Sequence, residues 1–185
     1  MAHDALDQWI DNLAPLFEQE KPPTLMELSA HMTGTRGAFL GGCLEALTQE
    51  LYRHHRHQRH ADCPGCGKRL NAKRVDRKTA STLQGKISVE RPYFYCRDCH
   101  IGYHPLDEAL ALAQEVHQYD VQEKVLKLAT EMPYARAAEL VSELTGTPVS
   151  NRHNHDALNR VADVADLDTV IPDRQEMTRR IEAVK

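Results

Sequence analysis

The sequence predicts a mostly α-helical protein with one small β module in its middle third. Three observations support this fold class. Apolar residues recur at helical spacing before residue 60, two Cys-x-x-Cys pairs flank a strand-like stretch, and a second helical stretch after residue 105 contains a glycine turn. These features divide the chain into an N-terminal helical region (1–60), a cysteine-bearing module (61–104), a helical domain (105–168) and a tail or the start of a further domain (169–185).

Positive charge is concentrated in the middle of the chain. Residues 53–104 carry twelve basic and four acidic side chains, whereas the segments on either side are both net acidic, and the whole chain is −4. A basic segment between acidic flanks is typical of a surface that binds a polyanion. The sequence has neither the run of about 18 apolar residues that a membrane span needs nor a signal-peptide pattern. We therefore expect a cytoplasmic protein whose thiols stay reduced.

The N-terminal region predicts three helices. The first carries an apolar stripe and ends before Pro22-Pro23. Thr24 and Glu27 have the spacing of a capping box, which predicts a short second helix, and Thr35 is a candidate cap for a longer third helix. This third helix carries a leucine stripe formed by Leu40, Leu44, Leu47 and Leu51. The stripe is either a homodimer interface between two chains or a surface that packs on the preceding helix.

Histidines and arginines cluster where this region meets the first cysteine. His54, His57 and His60 recur at three-residue steps, a spacing that would suit a second metal ion. A solvated helix end, or contact between the neighbouring arginines and phosphate, demands less geometry. We favour that simpler interpretation.

Four of the five cysteines form two pairs with the spacing of metal ligands: Cys63, Cys66, Cys96 and Cys99. Two intervening residues allow both sulfurs of a pair to reach one ion, and four thiolates complete a zinc tetrahedron without leaving a position for water. The sequence therefore predicts one structural Zn²⁺. A redox dithiol would need a single pair in a βαβ setting, which is not the pattern here. His100 and His104 are alternative ligands, or donors of hydrogen bonds to the ligands, or more simply solvent-facing side chains.

The stretch between the cysteine pairs predicts a β-hairpin. Residues 79–84 lead through Gly85 into residues 86–95, in which alternate positions form an apolar face of Ile87, Val89, Tyr93 and Tyr95. A turn near Gly85 would return the second cysteine pair to the side of the first. This is the plan of a zinc ribbon.

The C-terminal helical domain predicts a helix-turn-helix. Val121 and Val125 begin an apolar stripe that ends at Pro133, and a second helix holds Ala137, Ala138, Leu140, Val141 and Leu144. Gly146 makes a turn, Val149 would pin this turn to the core, and Ser150 is a suitable N-cap for a third helix. A plain αα-hairpin has the same spacing and stays open as the alternative.

Two sets of side chains are predicted to contact double-stranded DNA. Cations of the ribbon would bind phosphate: Lys68, Arg69, Lys73, Arg74, Arg77 and Lys78. The first turn of the helix that begins after Ser150 would reach the base edges: Asn151, Arg152, His153, Asn154 and His155.

Several segments resemble the N-terminal region of ISKra-type insertion-sequence transposases. These are the first pair CPGC, the stretch GKISVERPYFYC, the run CRDCHIGYHPLDEALAL, and the later Ala137-Ala138, Gly146 and Val149-Ser150. The resemblance covers roughly residues 35–165. It implies recognition of transposon-end DNA, with strand cleavage left to an acidic-triad nuclease domain that this sequence does not contain. His153 and Asn154 replace a threonine and an aliphatic residue of the family, so the family's base preference does not carry over.

These observations predict a non-catalytic, zinc-dependent DNA-binding protein that resembles the recognition half of a transposase, either cut from one or standing alone. A second hypothesis is a zinc-ribbon and helix-turn-helix repressor of antitoxin type, whose N-terminal helices bind a partner protein. A third is a structural adaptor that binds no nucleic acid.

Overall fold

The computed structural model describes residues 2–18, 21–152, 155–156, 159–160 and 179, and within them it combines helices with small antiparallel sheets, as predicted. None of the helices in this described part is long and apolar enough to cross a membrane. In chain order the elements are α1 (Ala2–Phe17), α2 (Leu25–Leu51), α3 (Arg53–Arg56), β1 (His60–Asp62), β2 (Arg69–Asn71), β3 (Arg74–Thr82), β4 (Gly85–Cys96), β5 (Ile101–Tyr103), α4 (Pro105–Ala109), α5 (Tyr119–Ala129) and α6 (Tyr134–Thr145).

Helix α2 is one continuous helix rather than two. The predicted capping box is confirmed, because the Glu27 N–H donates to the Thr24 hydroxyl (3.3 Å) and the Thr24 N–H donates to the Glu27 carboxylate (2.7 Å). The prediction that Thr35 caps a new helix is wrong. Its hydroxyl donates to a carbonyl one turn earlier (3.0 Å) and accepts a hydrogen bond from the indole of Trp9 in α1 (3.1 Å), so the side chain is satisfied inside the helix.

The leucine stripe of α2 is divided between core and surface. Leu44 packs against the buried cluster of the β3–β4 hairpin. Leu47 and Leu51 are 59% and 76% exposed. Helix α1 contacts α2 through the stacked rings of Trp9 and Phe39, whose centroids are 5.1 Å apart. One leucine therefore stabilises the core, while the others leave an apolar patch on the surface.

The β3–β4 hairpin is the framework of the middle region, and its predicted turn is confirmed. The strands pair antiparallel with Thr82 opposite Gly85, leaving a two-residue loop between them. Gly85 has φ of 123° and lies against Gly37 of α2, where an added Cβ would overlap the Gly37 carbonyl oxygen. Only glycine permits both this backbone conformation and this close approach.

Strand β4 is covered on opposite faces at its two ends. Near the turn, Ile87 and Val89 are buried in a cluster that includes Leu44 and residues of α4. Near the cysteines, Phe94 on the other face is buried under the β1–β2 hairpin. Tyr93 and Tyr95, predicted to share the buried face, are only half-buried. Side chains alternate regularly between the two faces of β4. The elements that cover the strand lie on one face near the turn and on the opposite face near the cysteines.

Helices α5 and α6 pack together beside the hairpin. Val121, Val125 and Val141 form their buried cluster, and Val149 packs against it after the turn, as predicted. Leu144, an apolar residue of α6, is 62% exposed. Thr145 lies one turn after Val141 and is half-buried there, so it takes the inward position at the end of α6.

The turn after α6 is tied to the hairpin. Gly146 ends the helix with φ of 70°, the left-handed conformation that glycine favours. Thr147 is buried, and its hydroxyl donates to the Thr82 carbonyl of β3 (2.8 Å). Residues 151–152, 155–156 and 159–160 are helical, in agreement with a helix that starts after Ser150. Leu158, Val161 and Val164, which the sequence predicts to face inward on that helix, lie outside the described residues.

Candidate metal centre

Two short loops bring the four predicted ligands together. The loop from Cys63 to Cys66 joins β1 to β2, and the loop from Cys96 to Cys99 joins β4 to β5. The first loop is closed by a hydrogen bond from the Cys63 N–H to the Lys68 carbonyl (2.9 Å). These loops thus have their ends fixed by antiparallel strand pairing, which limits where the sulfur atoms can move.

The two loops repeat the same backbone turn in different sequences. In each, the residue after the second cysteine has a left-handed conformation, with φ of 70° at Gly67 and 55° at His100. Glycine adopts this conformation freely, whereas histidine does so at a cost. The His100 ring Nδ1 lies 3.3 Å from the Tyr95 hydroxyl, a contact that holds the side chain on the strand. His100 is therefore a turn residue.

The sulfur atoms have the spacing of a tetrahedral site. The four Sγ atoms all lie within 4.8 Å of one another, and the Cys66 and Cys96 sulfurs are 3.8 Å apart. A tetrahedron with metal–sulfur bonds of about 2.3 Å has edges of about 3.8 Å. All four cysteines are free of disulfides. The four together could bind one metal ion.

Burial and charge at the centre favour a bound cation. Cys63 and Cys96 are buried beneath Phe94, whereas Cys66 is exposed and Cys99 half-buried. The backbone N–H of Cys66 lowers the pKa of Cys63 to about 7, and the hydrogen bond with the Cys66 side chain raises the pKa of Cys99 to about 12. A first thiolate thus opposes ionisation of its neighbour. A divalent cation would remove this opposition and stabilise all four thiolates.

The histidines considered as ligands lie elsewhere. In the part of the chain that the structure describes, the four cysteines are the one group of three or more metal-binding side chains close enough to share an ion. His54, His57 and His60 therefore do not form a second centre of this kind. His104 is neither a ligand nor solvent-facing, since only 15% of its side chain is exposed and it contacts the Asp76 carboxylate (3.1 Å).

Sequence reasoning missed the charged network to which His104 belongs. Asp76 accepts hydrogen bonds from Arg74 (2.7 Å) and His104 (3.1 Å), and these two contacts, Arg74 first, lower the pKa of the Asp76 carboxyl. Arg91 of β4 donates to Asp107 of α4. The network joins β3, β4 and α4. Two of its pairs, Arg91–Asp107 and His104–Asp76, are 16 and 28 residues apart in sequence, and no local pattern pairs them.

Three of the ribbon cations predicted to bind phosphate are paired with carboxylates. Lys68 lies 2.8 Å from Asp98, so this ion pair joins one cysteine loop to the other. Arg74 pairs with Asp76, as described above. Arg77 pairs with Glu90 of the neighbouring strand (2.7 Å). Solvent screens these exposed pairs, so each cation can exchange its carboxylate partner for a phosphate at little cost.

The other three cations predicted to bind phosphate, Lys78, Arg69 and Lys73, lie in different surroundings. The Lys78 ammonium donates to the carbonyls of Ala113 (2.5 Å) and Gln114 (3.2 Å), and burial lowers its pKa. This position conflicts with the prediction, because Lys78 ties β3 to the segment before α5. Arg69 and Lys73 are exposed, and neither has a carboxylate partner among the residues described.

Three of the five side chains predicted to contact base edges lie among the described residues. Asn151, Arg152 and His155 are exposed on helical residues after the Gly146 turn. The Arg152 side chain is 92% exposed and lies 3.9 Å from Asp156. His153 and Asn154 lie outside the described residues.

Comparison with known proteins finds no match to this chain among protein-family models, curated proteins or solved structures. The resemblance to ISKra-type transposases stays a prediction.

Proposed function

We propose that this is a non-catalytic DNA-binding protein whose fold depends on one structural zinc ion. The observation that carries the proposal is the convergence of four cysteine sulfurs on two matching turns, next to exposed basic side chains. Four protein ligands leave no position for water or substrate on zinc, which argues for a structural ion and against metal catalysis.

Zinc is the metal that best fits the donor set. Thiolates are soft ligands, and four of them in a tetrahedron suit zinc or iron. The buried cluster beside the centre is small, with Ala61, Leu70 and Phe94 as its members besides the cysteines. So small a core supports a two-stranded hairpin poorly, and a structural metal supplies the missing stability. Elemental analysis of protein purified without chelator should find one zinc per chain, whereas one iron would change the assignment.

DNA binding is supported by where the exposed cations lie. Arg69 and Lys73 are exposed beside the metal centre, and Arg152 is exposed at the start of the helical residues after the Gly146 turn. Helix α5, helix α6, the turn and these residues follow one another in the order of a helix-turn-helix. In this proposal the ribbon contacts phosphates and Asn151 and Arg152 read base edges. The resemblance to the recognition region of a transposase points the same way.

The test is duplex binding by the zinc-loaded protein at several salt concentrations. Contacts with Z phosphates give a slope of about −0.9Z in log affinity against log salt, so a steep slope is expected. Removal of zinc with a chelator should weaken binding, because the ribbon cations lose their scaffold. Absence of binding even at low salt would refute the DNA-binding proposal and leave the adaptor hypothesis.

Exposed apolar side chains on α2 favour a second candidate, the antitoxin-type repressor that binds a partner protein. Leu25 and Met26 are 83% and 78% exposed and line a surface groove at the start of the helix. Leu51 at its other end is 76% exposed. Apolar surface of this kind suits a partner protein or a second copy of the chain. Light scattering gives the mass of the purified protein and so distinguishes the two cases. A second copy of the chain on α2 predicts a dimer, whereas a different partner protein predicts a monomer.

A further inference from the structure

A cleft lies beside the metal centre, where helix α3 meets the β1–β2 hairpin. Its volume is about 560 Å³, and it is open to solvent. The side chains that line it are all neutral or basic: Arg53, His54, His57, Gln58, Arg59, His60 and Arg69. A ligand that balances this charge is an anion.

Two of the arginines in the cleft are available to a ligand. Arg53 donates to the Glu50 carboxylate (2.7 Å), so its charge is compensated within the helix. Arg59 and Arg69 are exposed and have no carboxylate partner among the residues that the structure describes. Asp62 is opposite Arg69 in the strand register, but the two form no ion pair and Asp62 does not line the cleft. This contrasts with the paired arginines of the β3–β4 hairpin.

The histidines of the cleft fit an anion better than a metal. Within the described residues, His54, His57 and His60 do not converge on a common point as the cysteines do. Each imidazole can offer an N–H donor to an oxygen of a bound anion. Guanidinium groups add forked donors that match phosphate oxygens.

We propose that this cleft binds backbone phosphates of duplex DNA, an inference that rests on the DNA-binding function proposed above and assigns that function a surface. The donors of the cleft come from both α3 and the β1–β2 hairpin, together with the residues that join them. Arg69 is three residues from Cys66, so the metal centre fixes the strand that presents it. Phosphate binding at the cleft should therefore depend on the metal.

The experiment compares two double variants of the zinc-loaded full chain. Arg59→Ala with Arg69→Ala removes the available cations of the cleft. Lys21→Ala with Lys124→Ala removes two exposed cations that lie outside both the cleft and the ribbon and serves as the charge-matched control. Binding of a short duplex is measured by fluorescence anisotropy between about 50 and about 200 mM salt. The cleft variant should lose about tenfold or more in affinity, with a salt slope flatter by about 1.8, the value for two phosphate contacts. The control should lose about threefold or less.

A second measurement reads the cleft directly. Inorganic pyrophosphate is titrated into the wild-type protein while the imidazole resonances of His54, His57 and His60 are followed by NMR. These resonances should shift in the wild type and stay unchanged in the cleft variant. The titration can refute the anion site without any variant. If pyrophosphate does not shift the histidine resonances of the wild-type protein, the cleft is not an anion site.

The outcomes separate the two proposals. If the wild type binds duplex DNA but both double variants lose affinity equally, the cleft is overturned while DNA binding stands. If the wild type does not bind duplex DNA, the proposed function and the DNA assignment of the cleft both fall. In that case, pyrophosphate shifts at the cleft histidines would still support a site for a phosphate of another source.

Discussion

Replacement of Cys96 by serine should unfold the β1–β2 hairpin and abolish stoichiometric zinc binding. Cys96 is fully buried and ends β4, so no solvent-exposed ligand can easily replace it. The apolar members of its cluster contribute little: burial of Leu70 and Phe94 stabilises by about 1.5–3 kcal/mol each. A structural zinc ion contributes about 10–16 kcal/mol of apparent binding free energy to small zinc modules. A serine hydroxyl left buried without a partner costs a further ~1–3 kcal/mol. Loss of the metal therefore outweighs the packing that would be left.

The assay combines zinc content by elemental analysis with amide hydrogen exchange over residues 60–71. The variant should hold well below one zinc per chain and lose exchange protection in β1 and β2. The matched control is Cys43→Ser, since Cys43 is a half-buried free cysteine outside the metal group. It should keep both zinc and protection. A Cys96→Ser protein with one zinc per chain and unchanged protection would refute the assignment of these four ligands.

Three further predictions concern the hairpin, the charged network and DNA reading. Gly85→Ala should destabilise the protein by about 2 kcal/mol or more in urea unfolding, because the φ of Gly85 is positive and an added Cβ would overlap Gly37. The control is Gly34→Ala, which should be neutral or slightly stabilising because an added Cβ at Gly34 meets open space. The folded-state pKa of Asp76 is lowered, so its contribution to stability is present above the ordinary carboxyl range and is lost as pH falls through the folded-state value. Unfolding free energy should thus fall less between about pH 5 and about pH 3 in Asp76→Asn than in the wild type; parallel curves would contradict this. Arg152→Ala should cost about 1–3 kcal/mol on a site selected from a random pool and little on unrelated duplex, whereas equal losses would mean that Arg152 touches only the backbone.

The cysteine centre could be predicted because its signal is local. Two residues between the cysteines of a pair dictate a tight loop, and an alternating stretch with one glycine predicts the hairpin that brings the loops together. The same holds for the Thr24 capping box and for Gly146, whose roles depend on neighbours in sequence. Each of these predictions needed only the conformational preference of a short segment.

Predictions failed where a long-range partner decided the outcome. Thr35 has the chemistry of a helix cap, but α2 continues past it because Trp9 and the helix itself satisfy the hydroxyl. Lys78 belongs to a basic run, yet carbonyls 35 and 36 residues away hold its ammonium. Charge counts along the sequence could not distinguish such a tied lysine from the exposed Arg69. The charged surface is set by pairing across strands, which the sequence alone does not reveal.

The buried clusters are separate, so a zinc ion at the cysteines, as proposed, would stabilise a different part of the molecule from the helices. The cluster around the cysteines includes Phe94 but no residue of α5 or α6, whose own cluster centres on Val125 and Val141. Between them, β4 is anchored to α2 at Gly85, far along the strand from Cys96. Loss of zinc should therefore release the β1–β2 hairpin and the cleft beside it first, while the helical pair and its turn persist. Chelation would then remove phosphate contacts before base contacts, and affinity for random duplex should fall before preference for a selected site does.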